Sequence, residues 1–210
     1  MLKILIADDH PLILEGIKNT LSREADITVC CTAVDAVSAY ECLGRHPHDA
    51  LVLDITLPGK SGIELLKELT VSQPHLHVLI LSMHPEERFA VRVVRSGASG
   101  YLTKEAIPTE LVKAVRIIAH GGKYITPPVA EALAREIQAP TSQPPHELLS
   151  DREYQVFLLI AAGKSSQEIA DELCVSPSTV KSYRARVLEK MQLPSNVELS
   201  KYALRNKLID

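Results

Sequence analysis

Five short aliphatic runs, each unbroken and each followed by a helical pattern, restrict the fold of this chain more than any other feature. They are Lys3–Ala7, Ile27–Cys31, Ala50–Leu53, Val78–Leu81 and Gly100–Leu102. A continuous aliphatic run suits a strand covered on both faces, as in a parallel sheet with helices above and below. Between the runs, apolar residues recur at helical spacing. The sets are Ile13, Ile17 and Leu21; Ala36, Tyr40 and Leu43; Leu66 and Leu69; and Leu111, Val115 and Ile118. Ser61 followed by Glu64 reads as a capping box opening the third helix. Five βα repeats with right-handed crossovers predict an α/β, doubly wound, five-stranded parallel sheet over residues 1–120.

Residues 121–148 break that rhythm. Gly121-Gly122, Pro127-Pro128, Pro140 and Pro144-Pro145 punctuate them, so a linker is expected, with a short helix between Pro128 and Gln138. Residues 149–210 change period and contain no strand-like run. Ser150/Glu153, Ser165/Glu168 and Ser195/Glu198 are Ser-x-x-Glu boxes, Ser176-Pro177 is a further helix start, and Gly163 ends the first of four helices. A small all-α domain follows from this. Residues 148–210 carry 9 Lys/Arg against 8 Asp/Glu, while the rest carry 14 against 18. Two modules with different partners fit that division.

Other classes are disfavoured. No apolar run approaches the roughly 18 residues of a membrane span, and the start Met1-Leu2-Lys3-Ile4 runs directly into a strand rather than a signal peptide. The four cysteines, Cys30, Cys31, Cys42 and Cys174, form no Cys-x-x-Cys pair. A disulfide framework and a zinc ribbon are therefore not expected, and a reducing cytoplasm is. His46-x-His48 and His75-x-His77 fall in loops at the amino edge of the sheet without a third ligand at helical spacing, so they read as solvated loops.

The chemistry of the first module follows from where polar residues end the apolar runs. Asp8 and Asp9 follow the first strand, Asp54 the third, Ser82 the fourth and Lys104 the fifth. In the flavodoxin-like order 2-1-3-4-5, strands one and three meet at the switch point where ligands bind. Asp8, Asp9 and Asp54 then converge and repel, which raises at least one pKa or calls for a hard cation such as Mg²⁺. With the Lys104 ammonium and the Ser82 hydroxyl, this set matches what phosphoryl transfer to Asp54 requires.

The segments KILIADDHPL (3–12), DALVLDITLPGKSGIELL (49–66), HVLILSMH (77–84) and SGASGYLTK (96–104) resemble the receiver domain of two-component response regulators. That resemblance implies Asp54 as phosphoacceptor. It implies Mg²⁺ held by Asp9, Asp54 and the Thr56 carbonyl, with Asp8 acting through water. Ser82 and Tyr101 become the switch pair, and a sensor histidine kinase the donor. Ser82 stands where many relatives have Thr, which keeps the hydroxyl. Leu57 replaces a common Met, a neutral exchange in an apolar slot.

In the second module, a helix near Ser165–Leu173, a turn at Cys174–Ser176 and a helix from Pro177 to Met191 describe a helix-turn-helix. At about 100° per residue, Val180, Val187 and Met191 share the buried face. Ser178, Ser182, Ala185 and Glu189 centre the opposite face, flanked by Lys181 and Arg186. Small residues beside cations suit a major groove. Arg184, near the apolar sector, reaches either a phosphate or an acid such as Asp171. Lys190 complements the helix dipole or contacts DNA. The segment 149–191 is similar to the NarL/LuxR (FixJ-like) DNA-binding domain. The resemblance implies Lys181, Ser182 and Ala185 at base edges and Thr179 anchoring the backbone. Tyr183 occupies a position frequently taken by His. The last helix, near Asn196–Asn206, then pairs two domains on two half-sites.

Together these readings predict a cytoplasmic, phosphorylation-regulated transcription regulator that binds double-stranded DNA as a homodimer and catalyses only its own phosphotransfer and dephosphorylation. Two alternatives stand beside it. One is a phosphorylation-independent regulator, against which the intact Asp9–Asp54–Ser82–Lys104 set argues. The other is a phosphatase of the haloacid dehalogenase type, which places a second Asp where this chain has Thr56.

Overall fold

A computed structural model describes residues 1–58, 60–83, 86–138, 144–206 and 208–209. Its contacts divide into two compact units, Met1–Gln138 and Ala139–Asp210.

The first unit runs β1 (Leu2–Ala7), α1 (Pro11–Leu21), β2 (Ile27–Ala33), α2 (Ala36–Arg45), β3 (Ala50–Asp54), α3 (Gly62–Ser72), β4 (His77–Ser82), α4 (Glu86–Arg95), β5 (Gly100–Thr103), α5 (Ile107–Ala119) and α6 (Pro127–Gln138). The strands pair in parallel in the order β2-β1-β3-β4-β5. The chain steps outward from β1 to β2 and then returns past β1 to β3. Right-handed crossovers therefore place α1 and α5 on one face and α2, α3 and α4 on the other. On the first face, Ile4, Ile6, Val52, Leu79 and Leu81 pack with Ile17, Leu21, Leu111, Val115 and Ile118. Alternation turns Leu5, Leu51, Leu53 and Ile80 to the second face, where they too are fully buried. Burial on both faces is why the strands read as unbroken aliphatic runs.

Three expectations change in this unit. On α2 it is Ala39, not Tyr40, that points into the core. The Tyr40 hydroxyl instead donates to the Glu68 carboxylate of α3. The stretch after residue 120 is not a free linker throughout. Tyr124 pairs with Gly100 as a parallel bridge, and α6 packs against α4. Residues 139–143 of the expected linker lie outside the described residues.

The cysteines, not expected to build a disulfide framework, do form one cross-link. Cys31 of β2 and Cys42 of α2 are disulfide-bonded, with Cα atoms 6.1 Å apart. The register of β2 explains this. Val29 pairs with Ile4 but Cys31 pairs with Leu5, so Cys30 is an extra residue in the strand. That irregularity turns Cys31 toward α2, a contact that sequence spacing does not show.

In the second unit, a 3-10 turn at Pro145–Leu148 precedes α7 (Asp151–Ala161), α8 (Ser166–Glu172), α9 (Pro177–Met191) and α10 (Asn196–Arg205). Ser150 with Glu153 and Ser165 with Glu168 form reciprocal capping boxes. Ser176 caps α9 with Pro177 at its first position. Ser195 accepts the Glu198 amide, while the Glu198 carboxylate takes Lys201 at 2.8 Å. Gly163 has φ +86°, the left-handed turn that ends α7. Val180, Val187 and Met191 are buried where α9 packs on α7 and α8. No helix among the described residues is long and apolar enough to cross a membrane.

Candidate functional site

Strand register places the polar residues of the first unit. Ala7 pairs with Leu53, so Asp8 and Asp54 leave neighbouring strands at the same level. Asp54 pairs with Leu81 and Ser82 with Thr103, which brings Ser82 and Lys104 to the same rim. Parallel strands all end on one edge, so four separate segments meet there.

Asp8, Asp9, His10 and Asp54 each offer a ligand atom, and these atoms lie within 4.8 Å of one another. Lys104 Nζ donates to Asp54 Oδ2 at 2.9 Å and lies 2.7 Å from Asp8 Oδ2. Asp8, Asp54, Ser82 and Lys104 are all buried, and Asp9 is half-buried. Burial first, and the Asp8 charge second, push the Asp54 carboxyl up to about 6 against the pull of Lys104. Burial draws the Lys104 ammonium down, but Asp54 and Asp8 outweigh it and hold its pKa above the ordinary value.

The pocket is also incomplete in a specific way. Asp8 Oδ2 and Asp9 Oδ1 are solvent-inaccessible and receive no well-directed hydrogen bond. Lys104 Nζ approaches the first, and His10 Nδ1 lies 2.8 Å from the second. Buried carboxylate oxygens short of donors are the set that a hard divalent cation satisfies.

Thr56 donates its amide to Asp54 Oδ1 at 3.2 Å. Tyr101 is fully buried, with its ring inside rather than out. Two further neighbours of the pocket are not signalled by the sequence pattern. His10 donates its backbone N–H to Asp8 Oδ1 at 2.8 Å. Gly62 donates its amide to the Ile55 carbonyl and packs directly behind Asp54. Both lie in motif segments, but neither ends an aliphatic run, the signal by which the others are found.

On α9 of the second unit, Ser178, Lys181, Ser182, Ala185, Arg186 and Glu189 are exposed together, opposite the buried valines. Thr179 is half-buried, and its hydroxyl and amide both bond Ser176 Oγ, at 2.8 and 3.1 Å. The Arg186 guanidinium lies 6.0 Å from the Tyr183 ring centre. Arg184 does not reach Asp171; its Nε donates to Asn196 Oδ1 at 2.7 Å, and Asp171 takes the Gln167 amide instead. Lys190 does more than complement the helix dipole, because it pairs with Glu153 Oε2 of α7 at 2.6 Å. One face of α9 is thus free of internal packing, studded with small side chains and bordered by cations.

Comparison with known proteins agrees with both halves. Residues 4–116 match the response regulator receiver domain, and residues 147–203 match the luxR family of bacterial regulatory proteins. The oxygen regulatory protein NreC of Staphylococcus carnosus is 37% identical over 216 residues, covering 100% of both chains. Response regulator GacA of Pseudomonas syringae pv. syringae is 36% identical over 214 residues, covering 100% of this chain and 99% of its own. A solved structure of RcsB from Salmonella enterica serovar Typhimurium, bound to promoter rprA in the presence of phosphomimetic BeF3−, superposes with TM-score 0.64 at 25% identity. That match covers 96% of this chain and 97% of RcsB. The chain therefore belongs to the two-component response regulators that join a receiver domain to a luxR-family DNA-binding domain and regulate transcription.

Proposed function

We propose that Asp54 accepts a phosphoryl group from a sensor histidine kinase and that this event controls DNA binding by α9. The observation that carries the reading is the buried Lys104 ammonium shared between Asp54 and Asp8, beside buried Asp8 and Asp9 oxygens that receive no well-directed hydrogen bond. Asp54 supplies the nucleophile. One carboxylate oxygen attacks phosphorus, the bond to the donor nitrogen breaks, and an acyl phosphate forms. Lys104 neutralises charge on the transferred group, and Ser82 donates a hydroxyl to it. Asp9, Asp54 and the Thr56 carbonyl, with Asp8 through water, would hold Mg²⁺, whose charge offsets that of the phosphoryl oxygens.

The phosphorylated side chain carries more negative charge and three acceptor oxygens. It draws Ser82 and Lys104 toward it and biases the packing of Tyr101, the partner in the switch. The output is DNA binding. Lys181, Ser182 and Ala185 face base edges, Thr179 fixes the start of α9, and Arg184 and Arg186 contact phosphates. Val197 and Leu204, exposed on α10, give two copies of this domain a surface through which to pair as a homodimer on two half-sites.

The test is labelling by acetyl phosphate with Mg²⁺. Wild type acquires one acid-labile phosphoryl group and Asp54→Asn none. Equal labelling of the variant removes Asp54 from the role.

A further inference from the structure

The β2–α2 cross-link lies on two physical routes into the acidic pocket. Along β2, Ala33 follows Cys31 by two residues and accepts the backbone N–H of Asp8 at 3.1 Å. Along α2, Tyr40 precedes Cys42 by two residues and donates to Glu68 of α3. Glu68 in turn pairs with Lys60 at 2.5 Å, and the Lys60 ammonium lies 5.8 Å from the Tyr40 ring centre. Lys60 precedes the Ser61 cap and Gly62, which rests against the Asp54 carbonyl. The sulfurs are thus linked to the turn that leaves Asp54 by the backbone of α2 from Cys42 to Tyr40, the Tyr40–Glu68–Lys60 side-chain contacts, and the backbone from Lys60 to Gly62.

We infer that Cys31 and Cys42 form a reversible redox site whose state sets the rigidity of the Asp54 turn, and so the lifetime of a phosphoryl group there. Three observations support a specific and reversible bond. The 6.1 Å Cα separation lies inside the span of about 4.4–6.8 Å that disulfides accept without backbone movement. Cys31 is half-buried, so an attacking thiolate reaches it from one side, whereas Cys42 is buried. Cys30, adjacent to Cys31, is not part of the bond; its Sγ donates to the Ile4 carbonyl at 3.4 Å. The co-reactant is a low-molecular-weight disulfide. Its S–S bond breaks, the Cys31–Cys42 bond forms, the two protein thiols give up two electrons and two protons, and two small thiols leave. A dithiol reverses the step.

The lifetime half of this inference rests on Asp54 being the acceptor; the rest does not. The experiment uses the full-length protein, treated with oxidised glutathione or with dithiothreitol. Alkylation and peptide mapping should find Cys31 and Cys42 protected in the first sample and all four cysteines modified in the second, with Cys30 and Cys174 free in both. Amide exchange at Ile55, Thr56 and Gly62 should be slower when oxidised, and the phosphoryl half-life longer by about threefold or more, the scale of coupling along packed networks. Tyr40→Phe should keep the cross-link and lose the difference in amide exchange at Ile55, Thr56 and Gly62, because it cuts the α2 route, while any half-life difference that persists is carried by the β2 route through Ala33 and Asp8. Absence of the Cys31–Cys42 link overturns the site, and unchanged amide exchange overturns its coupling to the pocket. If neither redox state acquires phosphate, the assignment of Asp54 fails while the mapping and exchange results still decide this inference.

Discussion

A methyl group on Gly62 would stand 2.1 Å from the carbonyl oxygen of Asp54 and 2.9 Å from the Cα of Ile55. No side chain fits there, and the obstacle is backbone, which cannot swing aside. The glycine is required by close approach, and its amide bond to the Ile55 carbonyl fixes the distance. Gly62→Ala should therefore move the turn that carries Asp54. It is expected to cost about 1–3 kcal/mol in urea unfolding and to slow labelling by acetyl phosphate. Gly16, on the exposed side of α1, is the control. Nothing lies within 4 Å of a Cβ there, so Gly16→Ala should stabilise by about 0.5–1 kcal/mol and leave labelling unchanged.

The raised carboxyl of Asp54 makes stability depend on pH in a definite direction. Its folded value is about 6 against an ordinary 3.8. Between those values the folded chain binds the proton that the unfolded chain releases, so stability falls as pH rises through this window and levels off above it. Asp54→Asn removes the charge. The variant should match wild type below about pH 4 and exceed it above about pH 6, by up to about 3 kcal/mol in the absence of divalent cations. Thermal melts at three pH values measure this. Magnesium should narrow the gap at pH 7 by stabilising wild type alone. A constant offset at every pH would mean that the Asp54 charge is not the cause.

The sheet was legible because two-face burial writes itself as unbroken aliphatic runs, and the pocket because Asp8, Asp9, Asp54, Ser82 and Lys104 interrupt those runs at their carboxyl ends. On α9, the buried trio Val180, Val187 and Met191 followed from helical period alone. What escaped was tertiary. Tyr40 sits at an apolar spacing, yet it stays exposed and its hydroxyl donates to Glu68 on the next helix. Cys31 meets Cys42 only because one extra residue enters β2 at Cys30, and no spacing rule encodes that. Arg184 takes Asn196 rather than Asp171 because α10 lies alongside α9, a packing choice not visible from one helix. Residues 121–138 look like a linker by their Gly and Pro content, but Tyr124 lies along β5 at Gly100, where a Cβ would meet Tyr124 at 3.0 Å.

Two lysines of α9, similar in sequence, should separate cleanly in experiment. Lys190 is tied to Glu153, whose carboxylate is almost fully buried at the start of α7. Burial pushes that carboxyl up, but Lys190 and the Ser150 cap more than offset it and hold it below the ordinary value. Lys190→Ala should thus lower stability near pH 7 by about 1 kcal/mol and leave the sequence preference for DNA intact. The stability contributed by Glu153 is present above its ordinary range and lost as pH falls through the depressed value, so the cost of Lys190→Ala should shrink under acid. Lys181 is exposed and has no such anchor among the described residues. Lys181→Ala should leave the melting temperature unchanged, weaken specific binding by about 1–3 kcal/mol and relax discrimination at one base position. Arg186→Ala, at a proposed phosphate contact, should instead weaken all sequences alike and reduce the salt slope by about 1. Binding isotherms on matched and scrambled duplexes at two salt concentrations distinguish the three. A Lys181 variant that binds the native site as wild type does would take this face of α9 out of the groove.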